Sequence, residues 1–312
     1  MRDPISSPLF SIIIGVYNDW APLDRCLRSL SQQISAPSFE VIVVDDGSRE
    51  ANPEFIRHWR SCYPLTLIRQ SHAGVSVARN RGIQTSQGSI LLFVDADCRL
   101  ETNCLAALSS TIAGSPEHNC FQLHLIGDCT RLVGRAEELR LMTLQNHMLL
   151  PGGGIRYLNT AGFAIRREGV DIEKGLFDSA ALRAEDTLLL ANLMQRGELP
   201  LFASNAVVQH AIPLSLLQYF RKAIRSAYLE ARTYKSIAAR GVRIRVSNRE
   251  RVKMLVATWK ASAAPNIGRS AWFVLVAKQA LQRSISAVYS RYAVRCNLHV
   301  STKREETKAY PA

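Results

Sequence analysis

The sequence predicts an α/β chain: a mostly parallel sheet with helices on both faces, followed by a basic helical extension. Three observations lead there. Short apolar runs alternate with helical periodicities from residue 10 to residue 94. Two of those runs, FEVIVV and ILLFV, are apolar almost throughout, as in strands buried on both faces. Charge divides the chain, with 20 Lys/Arg against 4 Asp/Glu in residues 213–312, and 19 against 22 in residues 1–212.

The elements follow in order. Residues 10–17 (FSIIIGVY) form a first strand, and Asn18, Asp19 and Pro22 signal a helix start. Leu23, Cys26, Leu27 and Leu30 then recur at helical spacing. Residues 39–44 are a second strand ending in Asp45-Asp46-Gly47-Ser48, a helix covers 53–62, and residues 65–68 are a third strand. A helix over 75–85 stops at Gly88, and residues 90–94 are a fourth strand ending in Asp95-Ala96-Asp97. Residues 99–152 are less legible, apart from a helix over 137–150. Residues 159–165 read as a strand, 184–196 as a helix capped by Gly197, and 201–208 as a strand running into Gln209-His210. Beyond Pro213, the residues Leu214, Leu217, Phe220, Ile224, Tyr228, Ala231, Tyr234 and Ala238 make one apolar stripe, with Arg221, Lys222, Arg225, Arg232 and Lys235 off it. A further helix spans 269–291, and residues 301–312 read as a frayed polar end.

Composition excludes several classes. The 312 residues are 47% apolar and 21% charged, so wholesale disorder is ruled out, and 17 Gly with 12 Pro are too few for a collagen-like or linker-rich chain. Seven cysteines without a C-x-x-C pair exclude zinc-ribbon and thioredoxin-type spacing and suit free thiols in a reducing compartment. The start Met1-Arg2-Asp3-Pro4 lacks a signal-peptide apolar region. No charge-free window reaches the length of a spanning helix; the nearest, residues 271–277, is cut off by Lys278 and Arg283. There is no P-loop, no G-x-G-x-x-G at the first strand–helix turn and no G-x-S-x-G elbow. We expect a body over 1–212 and an extension over 213–312 whose charge attracts a phosphate-rich partner.

The chemistry gathers at strand ends, the edge where open α/β sheets bind ligands. Asp95 and Asp97 follow a buried strand; if the chain stays extended both carboxylates face one side and could hold one hard cation, while solvated turn aspartates fit the local sequence equally. Asp45 and Asp46 suit acceptor hydrogen bonds to a base or ribose, and equally an ordinary Asp-Gly turn. Glu185 and Asp186 open a helix, where acids complement the dipole or where one could serve as a general base. His210 is structural, or completes a metal site if its strand lies beside the D-x-D.

The ordered series V-Y-N, V-V-D-D-G-S, G-V-S-V-A-R-N-R-G-I, L-F-V-D-A-D, A-E-D-T and V-V-Q-H over residues 10–210 resembles glycosyltransferase family 2, inverting nucleotide-sugar enzymes with the glycosyltransferase A fold and its Rossmann-like sheet. The resemblance implies a catalytic body over 1–212. It implies that Val16 and Tyr17 flank the nucleotide base, that Asp46 reads it with Asp45 alongside, and that Arg79 and Asn80 lie near the nucleotide. It makes Asp95 and Asp97 the metal- and diphosphate-binding pair, Asp97 the more direct ligand to manganese or magnesium, with His210 coordinating the metal or contacting the diphosphate. Asp186 becomes the catalytic base, with Glu185 its acidic neighbour. The donor is then a UDP- or GDP-linked sugar, and the acceptor a saccharide or lipid-linked saccharide in bacterial cell-surface or exopolysaccharide assembly. Processive members carry Q-x-x-R-W, whereas Gln218 to Arg221 is followed here by Lys222, so a single transfer is expected. The basic amphipathic extension is expected to lie on an anionic membrane, at the cytoplasmic inner face, without nucleic acid. Rival readings are transfer to a polyprenyl phosphate, a polyanion-binding protein and an inactive scaffold.

Overall fold

The structure, a computed structural model, describes residues 7–50, 53–181, 183–212, 214–239 and 246–295. Residues 1–4 and 301–312, the side chains of Tyr228, Ala231, Tyr234 and Ala238 in the predicted stripe, and those of Arg232 and Lys235 off it, lie outside the described set.

β1 (Phe10–Val16), β2 (Phe39–Asp45), β3 (Leu65–Arg69) and β4 (Ile90–Phe93) form the parallel half of one sheet. The strand order is β3-β2-β1-β4-β7-β6-β8-β5, with β5 at Cys98–Leu100, β6 at Cys120–Gly127, β7 at Phe163–Arg166 and β8 at Leu201–His210. β7 runs antiparallel to β4 and β6, β8 parallel to β6, and β5 antiparallel to β8. The sheet is therefore mixed at the side where the sequence is least legible.

Side chains of successive strand residues alternate between two cores. Ile12, Ile14, Val41, Val43 and Leu92 face one, under α1 (Trp20–Ser31), α2 (Phe55–Cys62) and α4 (Cys104–Ala113). Ile13, Leu91, Phe93 and Phe163 face the other, under α3 (Val75–Thr85) and α6 (Glu185–Gln195). α3 lies so close to β1 that a Cβ on Gly82 would stand 2.4 Å from the Ile13 side chain, so only glycine fits there.

Residues 159–165 depart from the expected strand. The Asn159 carboxamide accepts from the Ala161 N–H at 3.0 Å and folds Thr160–Gly162 into a 3₁₀ turn before β7 begins. α5 (Leu132–Met148) starts five residues earlier than its periodicity suggested. α7 (Leu216–Ala239), α8 (Asn248–Ala261) and α9 (Arg269–Arg295) form the extension, which packs on α5 through Ala136, Leu139, Ile267, Ala271 and Leu275. α7 buries Tyr219 together with Ala223, Ser226 and Ala227, three small residues that allow close approach, and leaves Leu217 and Ile224 of the predicted stripe exposed. Among the described residues no helix is long and apolar enough to cross a membrane.

Candidate active site

Parallel pairing aligns the ends of β1 and β2, with Val16 opposite Asp45. The loops beyond them interlock. The Asp46 N–H donates to the Val16 carbonyl at 2.9 Å, and the Ser48 N–H to the Asp45 carboxylate at 2.8 Å. Asp46 is buried and its two oxygens accept from the Ala73 and Gly74 N–H groups, the Gln70 amide and the His72 ring, at 2.8–2.9 Å. Those bonds fill its acceptor capacity, so Asp46 anchors the loop before α3. Tyr17 is exposed and stacks on His72 with ring centroids 4.2 Å apart. His72 was not among the residues the sequence singled out; its only signal is a polar loop ahead of the A-R-N helix.

On α3, Arg79 and Asn80 serve the chain itself. The Arg79 guanidinium is buried and donates to Asp95 at 2.7 Å and to Glu185 at 2.8 Å, tying the end of β4 to the start of α6. Burial works against its charge, but the two carboxylates outweigh it and raise the Arg79 pKa further. The Asn80 amide donates to the Phe177 carbonyl and accepts from the Leu176 and Phe177 N–H groups. Neither Asn80 nor the Val16–Asp46 loops line the cavity to which Arg79, Asp95 and Glu185 belong.

After β4 the chain turns, with the Cys98 N–H donating to the Asp95 carbonyl at 3.0 Å. It is not extended there, so Asp95 and Asp97 take different partners: Asp95 meets Arg79, and Asp97 meets His210 Nε2 at 3.3 Å. The β5–β8 pairing sets Cys98 opposite His210 and places Asp97 beside it. Burial alone would push the Asp97 carboxyl up and the His210 imidazole down, yet their mutual attraction wins and shifts each the other way. Among the described residues one group could hold a metal: Asp97, Cys98 and His210, with ligand atoms within 4.8 Å of one another. Among the described residues the buried His210 Nδ1 finds no hydrogen-bond partner, so this imidazole has capacity toward a ligand. Burial drives the Cys98 thiol well above its ordinary range; of the three, the Asp97 carboxylate is the hard oxygen donor that manganese and magnesium take. Asp95 stands outside that group.

α6 begins after Ala184, a non-glycine residue at φ +58, which swings Glu185 and Asp186 inward. Desolvation first, and the neighbouring Glu185 charge second, raise the Asp186 pKa to about 7. Asp95, Asp97, Asp186 and His210, spread over more than a hundred residues, line one cavity of about 510 Å³. Its other wall was not foreseen. There the buried Glu137 of α5 pairs with the partly exposed Arg140, and is reached by Lys278 of α9 at 3.6 Å and by the Tyr219 hydroxyl at 3.3 Å. Burial would raise Glu137, but Arg140 and Lys278 hold it well below the usual carboxylate range. Nothing in the periodicity of α5 marks Glu137 as inward-facing, because its burial depends on α7 and α9.

The comparisons with known proteins bear on this geometry. The family model described as glycosyl transferase family 2 matches residues 11–172. The chain belongs to that family. The match includes Asp95 and Asp97 and stops before Asp186 and His210. Among curated relatives, glycosyltransferase AglE of Haloferax volcanii is 38% identical over 111 residues, 35% of this chain and 36% of that protein. The uncharacterized glycosyltransferase YibD of Escherichia coli is 39% identical over 93 residues, 30% of this chain and 27% of its own length. The chain thus spans 19–36% of the length of the curated relatives it matches. In solved structures the glycosyltransferase A fold recurs in a mannosyltransferase from Pyrobaculum calidifontis in complex with GDP-Man and Mn²⁺, with TM-score 0.56, 19% identity, and 94% of this chain and 82% of that one covered. It recurs in S. aureus TarS 1-349 in complex with UDP, with TM-score 0.51, 17% identity and 91% of each chain covered.

Proposed function

We propose that this protein transfers one sugar from a nucleotide-diphosphate sugar to a hydroxyl of a saccharide or lipid-linked saccharide, with inversion, in assembly of a bacterial cell-surface or exported polysaccharide. The observation that carries the reading is the convergence of Asp95, Asp97, Asp186 and His210 on one cavity. The donors named for structurally similar proteins, GDP-Man and UDP-GlcNAc, support a UDP- or GDP-linked donor. Asp97 and His210 would hold manganese or magnesium, which when bound offsets negative charge on a departing diphosphate. Asp186 accepts the proton of the attacking acceptor hydroxyl, a role suited by a pKa near 7. Arg79 ties Glu185 to Asp95, which fixes the start of α6 and with it Asp186. The exposed Tyr17–His72 pair is our site for the nucleotide base, with Val16, Asp45 and Asp46 supporting it through the loops they anchor, while Asn80 holds Leu176 and Phe177 behind α3. Lys222, where processive members have Trp, supports single transfer.

We assign residues 1–212 to catalysis and 213–312 to a basic extension bound to an anionic membrane at its cytoplasmic face. Arg156 and Lys222 in the cavity wall favour a second reading, an acceptor that is itself a polyprenyl phosphate. The test is a screen of nucleotide-sugars with and without manganese, reading release of nucleoside diphosphate. Turnover should need the metal and fall about 10²–10⁴-fold in Asp186→Asn with donor binding retained. Unchanged turnover in that variant refutes the base assignment.

A further inference from the structure

Helix α8 turns its apolar stripe outward. Its inner side carries Arg251, Met254, Thr258, Ala261 and Ser262, of which Thr258 and Ser262 are buried. Val252, Leu255, Val256 and Trp259, spaced i, i+3, i+4, i+7, are 62%, 40%, 48% and 41% exposed. A surface helix ordinarily buries such a stripe, and a contiguous apolar patch left bare marks an interaction surface. Phe273 of α9, 60% exposed, extends the patch and meets the Trp259 ring edge-on at 6.5 Å. Trp272 packs against both rings and fixes them in place.

The surrounding charge selects the occupant. Arg249, Lys253, Lys260 and Arg269 are exposed around the stripe, with the Arg269 guanidinium 3.7 Å from the Trp259 ring centroid. Residues 251–295 contain no Asp or Glu. A nucleic acid would answer the charge but offer no apolar layer to the stripe. An anionic bilayer interface offers both, with aromatic rings and aliphatic side chains at the headgroup boundary and cations among the headgroups.

We propose that the Val252–Val256–Trp259–Phe273 patch docks this protein on an anionic lipid surface. The inference rests on the membrane reading above and gives it a location. Glu250, in the first turn of α8, lies 3.7 Å from Arg156, and Val246 just before the helix lines the same cavity as Arg156, so docking here would hold that cavity close to the lipid. A lipid-linked acceptor would then reach Asp186 without leaving the membrane.

The full-length chain should float with vesicles of phosphatidylcholine plus phosphatidylglycerol and remain behind with phosphatidylcholine alone. Trp259→Ala/Val256→Ser should weaken that partitioning about tenfold or more while leaving metal-dependent release of nucleoside diphosphate unchanged. Val252→Ser/Val256→Ser, at more exposed positions, is the second variant should loss of Trp259 disturb Trp272. Leu217→Ser/Ile224→Ser on α7 should bind vesicles like the parent. If the parent chain ignores acidic vesicles, the membrane reading itself falls. If the parent binds and only the α7 variant loses binding, membrane attachment stands and the α8 assignment is overturned. A dimer dissolved by the α8 variants, with vesicle binding intact, also overturns it in favour of a self-association face.

Discussion

Asp186 is governed by two pressures of the same sign. Its carboxyl is desolvated at the cavity wall, and the Glu185 charge sits one residue away, so its proton is held until about pH 7. A general base works only when deprotonated, so kcat/KM of the free enzyme should fall about tenfold per pH unit below roughly 7. Glu185→Gln removes one negative neighbour, and the acidic limb should then move to lower pH. A pH–rate profile of both proteins measures this; a limb that stays in place in the variant, or lies near pH 4 in the parent, contradicts the assignment. Asp186 was visible in the sequence as one of two acids opening a helix. Its raised pKa was not, because desolvation comes from the walls around the cavity rather than from neighbours in the chain. Arg79 makes the same point. The A-R-N motif marks it as near the site, but only the folded chain shows it spent on Asp95 and Glu185.

Helix α3 acts as a clamp at the scale of elements. Gly82 lets it rest on Ile13, Asn80 pins Leu176 and Phe177, and Arg79 joins the β4 turn to α6. Arg79→Ala would leave two carboxylates without their shared cation. A fully buried broken pair costs about 3–5 kcal/mol, and Asp95 reaches solvent, so we expect about 2–3 kcal/mol from urea unfolding. A loss below about 1 kcal/mol would show that the clamp carries little stability. The strands β1, β2 and β4 were legible because both faces of each are buried, which leaves runs of apolar residues. β6 and α5 were obscured by buried polar residues. Gln145 of α5 bonds both the N–H and the carbonyl of Leu125 in β6, and Gln122 within β6 bonds the Gly162 carbonyl, so polar side chains interrupt the apolar pattern on which element assignment depends.

Over the whole molecule, the extension closes the cavity instead of trailing from it. Tyr219, Lys222 and Lys278 come from α7 and α9, yet they line the same cavity as Asp97 and Asp186. Donor binding should therefore stabilise body and extension together. UDP or GDP at about 100 times its Kd, with manganese, should add about 2.7 kcal/mol and raise Tm by roughly 5 °C, and chelation should remove most of the shift. A Tm that does not move with either nucleotide would argue against the site. The charge division at residue 212 was plain in the sequence, whereas the direction each helix of the extension faces was not. α7 buries Tyr219 and Ala223 in place of Leu217 and Ile224, and α8 exposes its apolar stripe.

By itself the sequence determined the family series from strand to strand, the acids at strand ends and the basic character of the extension. These are local properties, since a buried strand needs apolar residues and a turn beyond it tolerates aspartate wherever the rest of the chain goes. Only tertiary structure decided that Asp97 faces His210, that Arg79 is a bridge, that the buried Glu137 pairs with Arg140, and that α8 shows Val252 and Trp259 to solvent. Each depends on two segments far apart in sequence meeting at ångström distance, and helical or strand periodicity carries no information about which distant segment arrives.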